Sequence, residues 1–491
     1  MMDRSNLPLE GIRVVDRSVV WAGPFFSWML SLLGAEVIHL DTPQFREVDR
    51  GRITSPPIFT PPSNVFNPMG GGLPVVPSDK PWNERDHNRY LWNRVALSVD
   101  LGSAEGVEVV RRLLDNSDVF LENNSAHAME SMGLGHEVLQ ERNPRLIVVN
   151  APAWGRSGPY KEYVGWGPLH EAIVGHTWLR GYDDDEFPTH NIMRYHMDSM
   201  GAAAIVNAVL MGLIYRRRTG KGIWVDMAQI QTVPHSLGEV YLDAAWNGRD
   251  HRTLGNRHPT SIQGCYPCRG PKPTLETASI GGERWINITI ATDEEWEAFC
   301  EVLNNPSWTK DPKFATHESR RANHDELDRH IANWTVMHDN IEVFYALQEN
   351  GVCAGMVEDY REHFADAQLN SRKFFVTLKQ KQTGTHRYPG IAWRFDKTPL
   401  RGYSPPAMLG EHTEYVCKEV IGMSEEEYQD LTARNMVGGD AYLPLPHLAV
   451  RPDYEAYAAE NGWEIFGGPD VAPMLAARKG EWPLTWLKGK G

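Results

Sequence analysis

Two short β-branched runs, Ile12 to Val15 and Val37 to Leu40, bracket a stretch in which Phe25, Phe26, Met29, Leu30, Leu32 and Leu33 recur at helical spacing. Apolar runs that are short and bounded by polar residues or Gly read as buried strands, and the recurrence between them reads as a helix that Gly34 stops. The pattern predicts strand, turn, helix, strand: a βαβ unit with a parallel pair, its turn at Trp21-Ala22-Gly23-Pro24. That turn lacks G-x-G-x-x-G, the glycines that cradle a dinucleotide pyrophosphate, so NAD is not expected there.

Strand and helix patterns keep alternating to about residue 225, which predicts an open parallel, Rossmann-like sheet covered by helices. Inside that region residues 51–82 are rich in Pro and Gly, with Pro56-Pro57, Pro61-Pro62 and Gly70-Gly71-Gly72, and read as a long loop of the lid or excursion type. From about 255 the character changes. Arg284 to Ile290 alternates like an antiparallel strand, and Asp293-Glu294-Glu295 opens a capped helix. The expected organisation is a large α/β domain over 1–225, a linker over 226–255 and a smaller α+β domain over 256–370. The chain then returns to the large domain over 371–440, with a helix led by Glu425-Glu426-Glu427-Tyr428. A C-terminal extension follows over 441–491, whose Trp463, Trp482 and Trp486 favour a wrapping segment.

At 491 residues the chain is too long for one compact core, and 41% hydrophobic with 23% charged residues is ordinary for a globular protein. A net charge of −15 argues against a nucleic-acid partner, which needs a basic footprint. No apolar run is read as reaching membrane-spanning length, and Asp3, Arg4 and Asn6 before Pro8 leave no signal-peptide core, so no membrane partner and a cytoplasmic location are expected. Five cysteines fit a reducing compartment. Cys265-Tyr266-Pro267-Cys268 has neither a second ligand pair nor a following helix, and reads as two reduced cysteines in a strand, with no metal expected.

The opening strand with its Ala-Gly-Pro turn resembles the start of the class III CoA-transferases, the family of formyl-CoA, carnitine and bile-acid CoA-transferases. Asn93 to Leu101 and Ser117 to Asn123 are similar to two further strand motifs of that family. Met132-Gly133-Leu134-Gly135, Asn143 to Ile147, Arg218 to Gly222 and Leu409 to Thr413 extend the resemblance over roughly residues 8–435. It implies a CoA thioester as substrate with no permanently bound cofactor, a carboxylic acid as second substrate, and two protomers interlocked as a homodimer, or a heteromer with a paralogue. It carries the CoA site onto Trp21, Ala22, Thr42, Val99 to Gly102, Asn123, Asn124, Ser125, Ser131, and Tyr163 to Trp166 with Val164 among them. In formyl-CoA transferase the positions of Thr42, Gly102, Ser131 and Val164 are basic; here all four are uncharged, and Arg46, Arg50, Arg52 and Arg94 are the candidate replacements.

Asp198 precedes a run of small residues leading into an apolar helix from Ile205 to Ile214, a place where an Asp serves as an N-cap. The resemblance makes it the nucleophile. A carboxylate suits that role: attack on a thioester gives an anhydride, and return of the thiolate gives an aspartyl-CoA thioester that keeps the acyl-transfer energy. A helix N-terminus favours the ionised form and offers N–H groups to developing charge. The family's racemases carry a His where Trp166 stands, which disfavours racemisation; His170 and Glu171, one turn on, read as surface or structural. Gln263 and Gly264 occupy the place of the family's glycine lid. Trp21, Trp28, Trp92, Trp154, Trp166 and Trp178 favour a bulky or aromatic acyl group, and Arg180 or Arg194 offers a partner for a second carboxylate. The alternatives are a racemase or isomerase on the same fold, with Asp198 as base, and a non-catalytic subunit of a heteromeric transferase.

Overall fold

The computed structural model describes residues 6–42, 92–165, 167–182, 196–270, 284–358, 360–380, 384–398 and 403–438. The loop at 51–82, Arg46, Arg50, Arg52, Trp166, Arg194, Tyr195 and the extension from 441 with its three tryptophans lie outside the described residues.

Six strands, β1 (Arg13–Asp16), β2 (Glu36–Asp41), β3 (Val95–Ser98), β4 (Val119–Glu122), β5 (Ile147–Asn150) and β6 (Trp224–Asp226), form one sheet in the order β3-β2-β1-β4-β5-β6. Every neighbouring pair is parallel, with Val14 level with Val37 on one side and Val119 on the other. Helices cover both faces, so β3, β4 and β5 are buried at every position, which is why they read as continuous apolar runs. The helices of this region are α1 (Ala22–Leu32), α2 (Ala104–Asp115), α3 (Ala128–Ser131), α4 (His136–Arg142), α5 (Gly167–Ile173), α6 (His196–Thr219) and α7 (Gly238–Asn247). The expected α/β class is the observed one.

On one face α1 and α6 pack Phe26, Leu30, Ala202, Ile205 and Val209 onto Val14, Val37, Leu121 and Val149. Removing the Phe26 ring would cost about 3–5 kcal/mol. Gly212 lets α6 approach the sheet, since a Cβ there would lie 3.0 Å from Ile147 Cγ2 and 3.2 Å from Ile223 Cγ2. By length and hydropathy α6 is also apolar enough to span a bilayer, contrary to the sequence reading. Here it is the crossover between β5 and β6, and its apolar side is one wall of a core. On the other face α2 places Val107, Val110 and Leu113 against Ile38, Leu97 and Phe120, together with Val416, Cys417 and Leu431 from the C-terminal part of the chain. That segment is tied to the β3 edge, where Ser98 N donates to Thr413 Oγ1 at 3.1 Å and Asp100 N to Met436 O at 2.8 Å.

A second, antiparallel sheet has the order β7 (Ile262–Pro267), β8 (Trp285–Ile290), β9 (Cys353–Val357). Its first two strands bury alternate residues, the half-covered pattern. Helices Asp293–Val302, capped by the Thr292 and Glu295 box, and His324–Thr335 close its core around Phe299, Phe314, Leu327 and Ile331. Cys265 and Cys268 are free thiols of this layer, and burial pushes the Cys268 thiol up to about 12, which keeps it an inert core group. A hairpin of β10 (Phe375–Gln380) and β11 (Gly384–Pro389) returns to the large sheet, where Leu378 and Tyr388 pack on Trp28, Leu32 and Trp92.

Candidate active site

Because the six strands are parallel, their C-terminal ends share one edge of the sheet. The expected CoA residues leave that edge on successive loops. Trp21 and Ala22 follow β1, Thr42 follows β2, Val99 and Gly102 follow β3, and Asn123, Asn124 and Ser125 follow β4 with Ser131 at the end of α3. Val164 lies on the chain between β5 and α5 and is 77% exposed. The chain runs outward from β1 through β2 to β3 and then crosses to β4 on the other side of β1, so the crevice between β1 and β4 is the switch point where open α/β sheets bind ligands.

The crevice is built on a buried carboxylate. Asp16, the last residue of β1, accepts from Ser18 N at 2.9 Å, from Ser18 Oγ, from Ser27 Oγ at 2.5 Å and from Arg94 Nη1 at 3.0 Å, and it faces His39 Nδ1 at 3.1 Å. Burial alone would push Asp16 up, but the His39 contact, then Arg94 and Ser18, hold it below the usual carboxylate range. Arg94, an expected phosphate partner, is thus a buried structural cation that also donates to Pro24 O. Across the crevice the side chain of Asn123 clamps Val19, accepting from its N at 2.8 Å and donating to its O at 2.9 Å, while Asn124 Nδ2 donates to Arg17 O at 2.9 Å. Glu122 anchors that loop through Asn124 N and Asn150 Nδ2, at 2.7 and 2.6 Å. Burial raises the Glu122 carboxyl to about 7 against those hydrogen bonds.

α6 runs antiparallel to the strands, since β6 starts shortly after it ends, and its 24 residues make it much longer than a four-residue strand. Its N-terminus therefore overhangs the C-terminal edge of the sheet. Gly201 lies against Gln229, whose Nε2 donates to Ala151 O just past β5, and Asp198 stands almost one turn above it. Asp198 is the third residue of the helix rather than its N-cap, and it is 8% exposed. Glu171 of α5 reaches the same turn, where its Oε1 accepts from Met197 N at 3.3 Å. Burial opposes the charge of Glu171, yet the His176 contact, Met197 N–H and Arg180 at 2.9 Å hold it ionised below its ordinary range. Beside it His170 is buried, neither ring nitrogen has a hydrogen-bond partner among the described residues, and burial lowers its titration to about 4. Its ring meets Trp154 edge-on at 5.5 Å, and a Cβ at Gly165 would overlap its Nε2.

The family model for CoA-transferase family III matches residues 9–413. The chain belongs to CoA-transferase family III. Among curated relatives, the succinyl-CoA–D-citramalate CoA-transferase of Chloroflexus aurantiacus is 26% identical over 442 residues, with 88% of this chain and 99% of that one covered. A probable CoA-transferase of Mycobacterium tuberculosis, Rv1866, is 27% identical over 444 residues, and the chain spans about half, 51%, of its length. A solved structure of a CAIB/BAIF family protein from Brucella suis superposes with a TM-score of 0.70 at 25% identity, covering 85% of this chain and all of that one.

Several features of this class III CoA-transferase were not legible in the sequence. His170 and Glu171, read as surface or structural, are buried at the helix that carries Asp198. Arg180, read as a partner for a substrate carboxylate, is committed to Glu171. Glu171, His176 and His196 place ligand atoms within 4.8 Å of one another, but the Arg180 guanidinium already neutralises the carboxylate that a metal would need. Gln263 and Gly264 belong to β7, not to a lid loop, and Gln263 accepts from Thr289 Oγ1 across the sheet. They border a cavity of about 630 Å³ lined also by Tyr182, Asn256, Arg257 and Asp328. Trp28 and Trp92 fill the core under the hairpin, whereas Trp154 is half-buried against the exposed Tyr160 and Tyr163, whose rings stack at 5.1 Å.

Proposed function

We propose that the chain moves CoA from an acyl-CoA donor to a carboxylic acid with Asp198 as the nucleophile. The observation that carries the proposal is the position of Asp198, within the first turn of a helix that overhangs the switch-point edge, in a chain of this family. The Asp198 carboxylate attacks the thioester carbonyl, the C–S bond breaks, and an acyl-aspartyl anhydride and CoA thiolate result. The thiolate then attacks the aspartyl carbon, releasing the donor acid and leaving aspartyl-CoA. The acceptor carboxylate attacks the same carbon and expels the thiolate, which takes the acyl group from the new anhydride and regenerates Asp198. Each step exchanges one activated acyl bond for another, so no external energy source is needed. The amino-terminal end of α6 turns the positive end of its dipole towards the negative charge that develops on these intermediates.

Succinyl-CoA is the proposed donor, in line with the citramalate relative. The exposed, stacked rings of Tyr160 and Tyr163, packed on half-buried Trp154 beside the expected CoA contact Val164, support a bulky or aromatic acceptor acid. A second copy of the chain completes the molecule in this reading. Among the described residues α7 buries none of its side chains, and Trp246 is 77% exposed, surface that a partner protomer would cover. The test is isotope exchange: labelled acid enters its CoA thioester when donor CoA is supplied, and Asp198→Ala abolishes the exchange. Exchange that persists in Asp198→Ala, or α-deuteration without any acceptor acid, sinks the reading.

A further inference from the structure

Val20 has φ 72°, the left-handed region, which a β-branched side chain occupies only under constraint. It is the residue between a locked turn and the helix α1. On its N-terminal side Asn123 holds both backbone polar groups of Val19, Asn124 holds Arg17 O, and the Asp16 carboxylate holds Ser18 through backbone and side chain. On its C-terminal side Gly23 lies so close to Ser18 that a Cβ would overlap the Ser18 side chain, and it would come within 3.1 Å of Asn123 Cγ. The chain must therefore reverse between Val19 and Trp21 in one residue, and Val20 carries the strain. What this geometry fixes is the start of α1. Its Trp21 N-cap makes no side-chain capping bond and its first turn has no acidic residue, leaving helix N–H groups and the positive dipole end at the β1/β4 crevice.

We propose that Asn123 is a positioning residue for CoA: its amide clamps Val19, compels Val20 into the left-handed conformation and so sets the α1 amino terminus that receives the ligand. The proposal rests on the CoA-transferase reading. It differs from a direct contact, because both functional atoms of the Asn123 amide are already used on Val19. Substituting Asn123 then acts through Val20. With the clamp gone, Val20 relaxes to negative φ and the turn moves; a glycine at 20 takes φ 72° with no side-chain penalty and keeps the turn accessible.

The experiment compares wild type, Asn123→Ala, Asn123→Asp, Val20→Gly and the Asn123→Ala/Val20→Gly pair, with CoA itself as the titrant in calorimetry and KM and kcat for succinyl-CoA. Expected are a CoA affinity and 1/KM reduced on the order of tenfold in both Asn123 variants with kcat largely kept, and recovery of most of that loss in the double variant. Val20→Gly alone raises the melting temperature, a readout that needs no ligand and holds even where an Asn123 variant fails to fold. Wild-type affinity in a folded Asn123→Ala, no recovery in the double variant, or a lowered melting temperature in Val20→Gly overturns the clamp. Absence of CoA binding by the wild type overturns the CoA-transferase reading itself, and the clamp with it.

Discussion

The β1/β4 crevice and the α5/α6 junction meet at one edge of the sheet and are built in opposite ways. At the crevice polar groups are consumed by the protein: Asp16 is surrounded by Ser18, Ser27, His39 and Arg94, and Asn123 spends its amide on Val19. At the junction they are held in tension. Asp198 and Glu171 bring two carboxylates to one helix turn, and His170 is buried with both ring nitrogens unpaired among the described residues. A satisfied network makes a rigid receptor, with little left to reorganise when the ligand arrives. His170 is the junction's buried group without a hydrogen-bond partner among the described residues, and an unpaired buried group is where a substrate can supply one. In the proposed reaction, binding belongs to the first region and bond-making to the second.

Replacing residues region by region breaks that contrast most directly. Asp198→Ala should lower CoA exchange on the order of 10³-fold or more while leaving CoA affinity near wild type, read by exchange assay and calorimetry. Asp16→Ala should do the reverse kind of damage. It strands Arg94 and His39 in the core and costs about 3–5 kcal/mol of stability, measured by denaturant unfolding. Glu171→Gln keeps the size of the side chain and removes the charge that Arg180 and His176 hold at the start of α6. kcat should fall by up to ~10²-fold with KM little changed, since the Asp198 turn is displaced but the crevice is not.

The smallest expected effects are pH slopes, of opposite sign in the two regions. Glu122, raised to about 7 from 4.5, binds its proton more tightly folded than unfolded, so its contribution is complete below pH 4.5 and is lost as pH rises through 7. His170, lowered to about 4 from 6.5, is held neutral when folded, so its contribution is present above pH 6.5 and is lost as pH falls through 4. Unfolding free energies from pH 4 to 8.5 check both. His170→Leu should flatten the acid limb and leave the neutral one in place.

The sequence disclosed what repeats along the chain. Continuous apolar runs at Val14, Val37, Val95, Val119 and Ile147 gave a doubly covered parallel sheet, and alternation at Trp285 to Ile290 gave the half-covered antiparallel one. Loops after β1 to β4 were legible as a ligand edge because the motifs at Trp21, Val99 and Asn123 fall at strand ends. Long-range partnerships were not legible. Nothing near Arg94 indicates that it will be drawn under α1 by Asp16, 78 residues earlier, rather than stay at the surface for a phosphate. His170 and Glu171 look like any polar pair on a short helix until α6 packs over them. A left-handed Val20 leaves no mark in composition or periodicity, because its cause is a side chain beyond the next three strands of the chain. The α6 apolar run, in turn, reads alike for a crossover helix and for a bilayer span; only its packing on β5 distinguishes them.

The most direct test of the account is covalent. Purified protein incubated with succinyl-CoA and aryl-CoA thioesters, quenched with hydroxylamine or borohydride, is digested and mapped by mass spectrometry. The account predicts modification on the α6 peptide at Asp198, absent when CoA thioester is omitted. An unmodified Asp198 alongside measurable acid exchange, or a label on Glu171 instead, would contradict it.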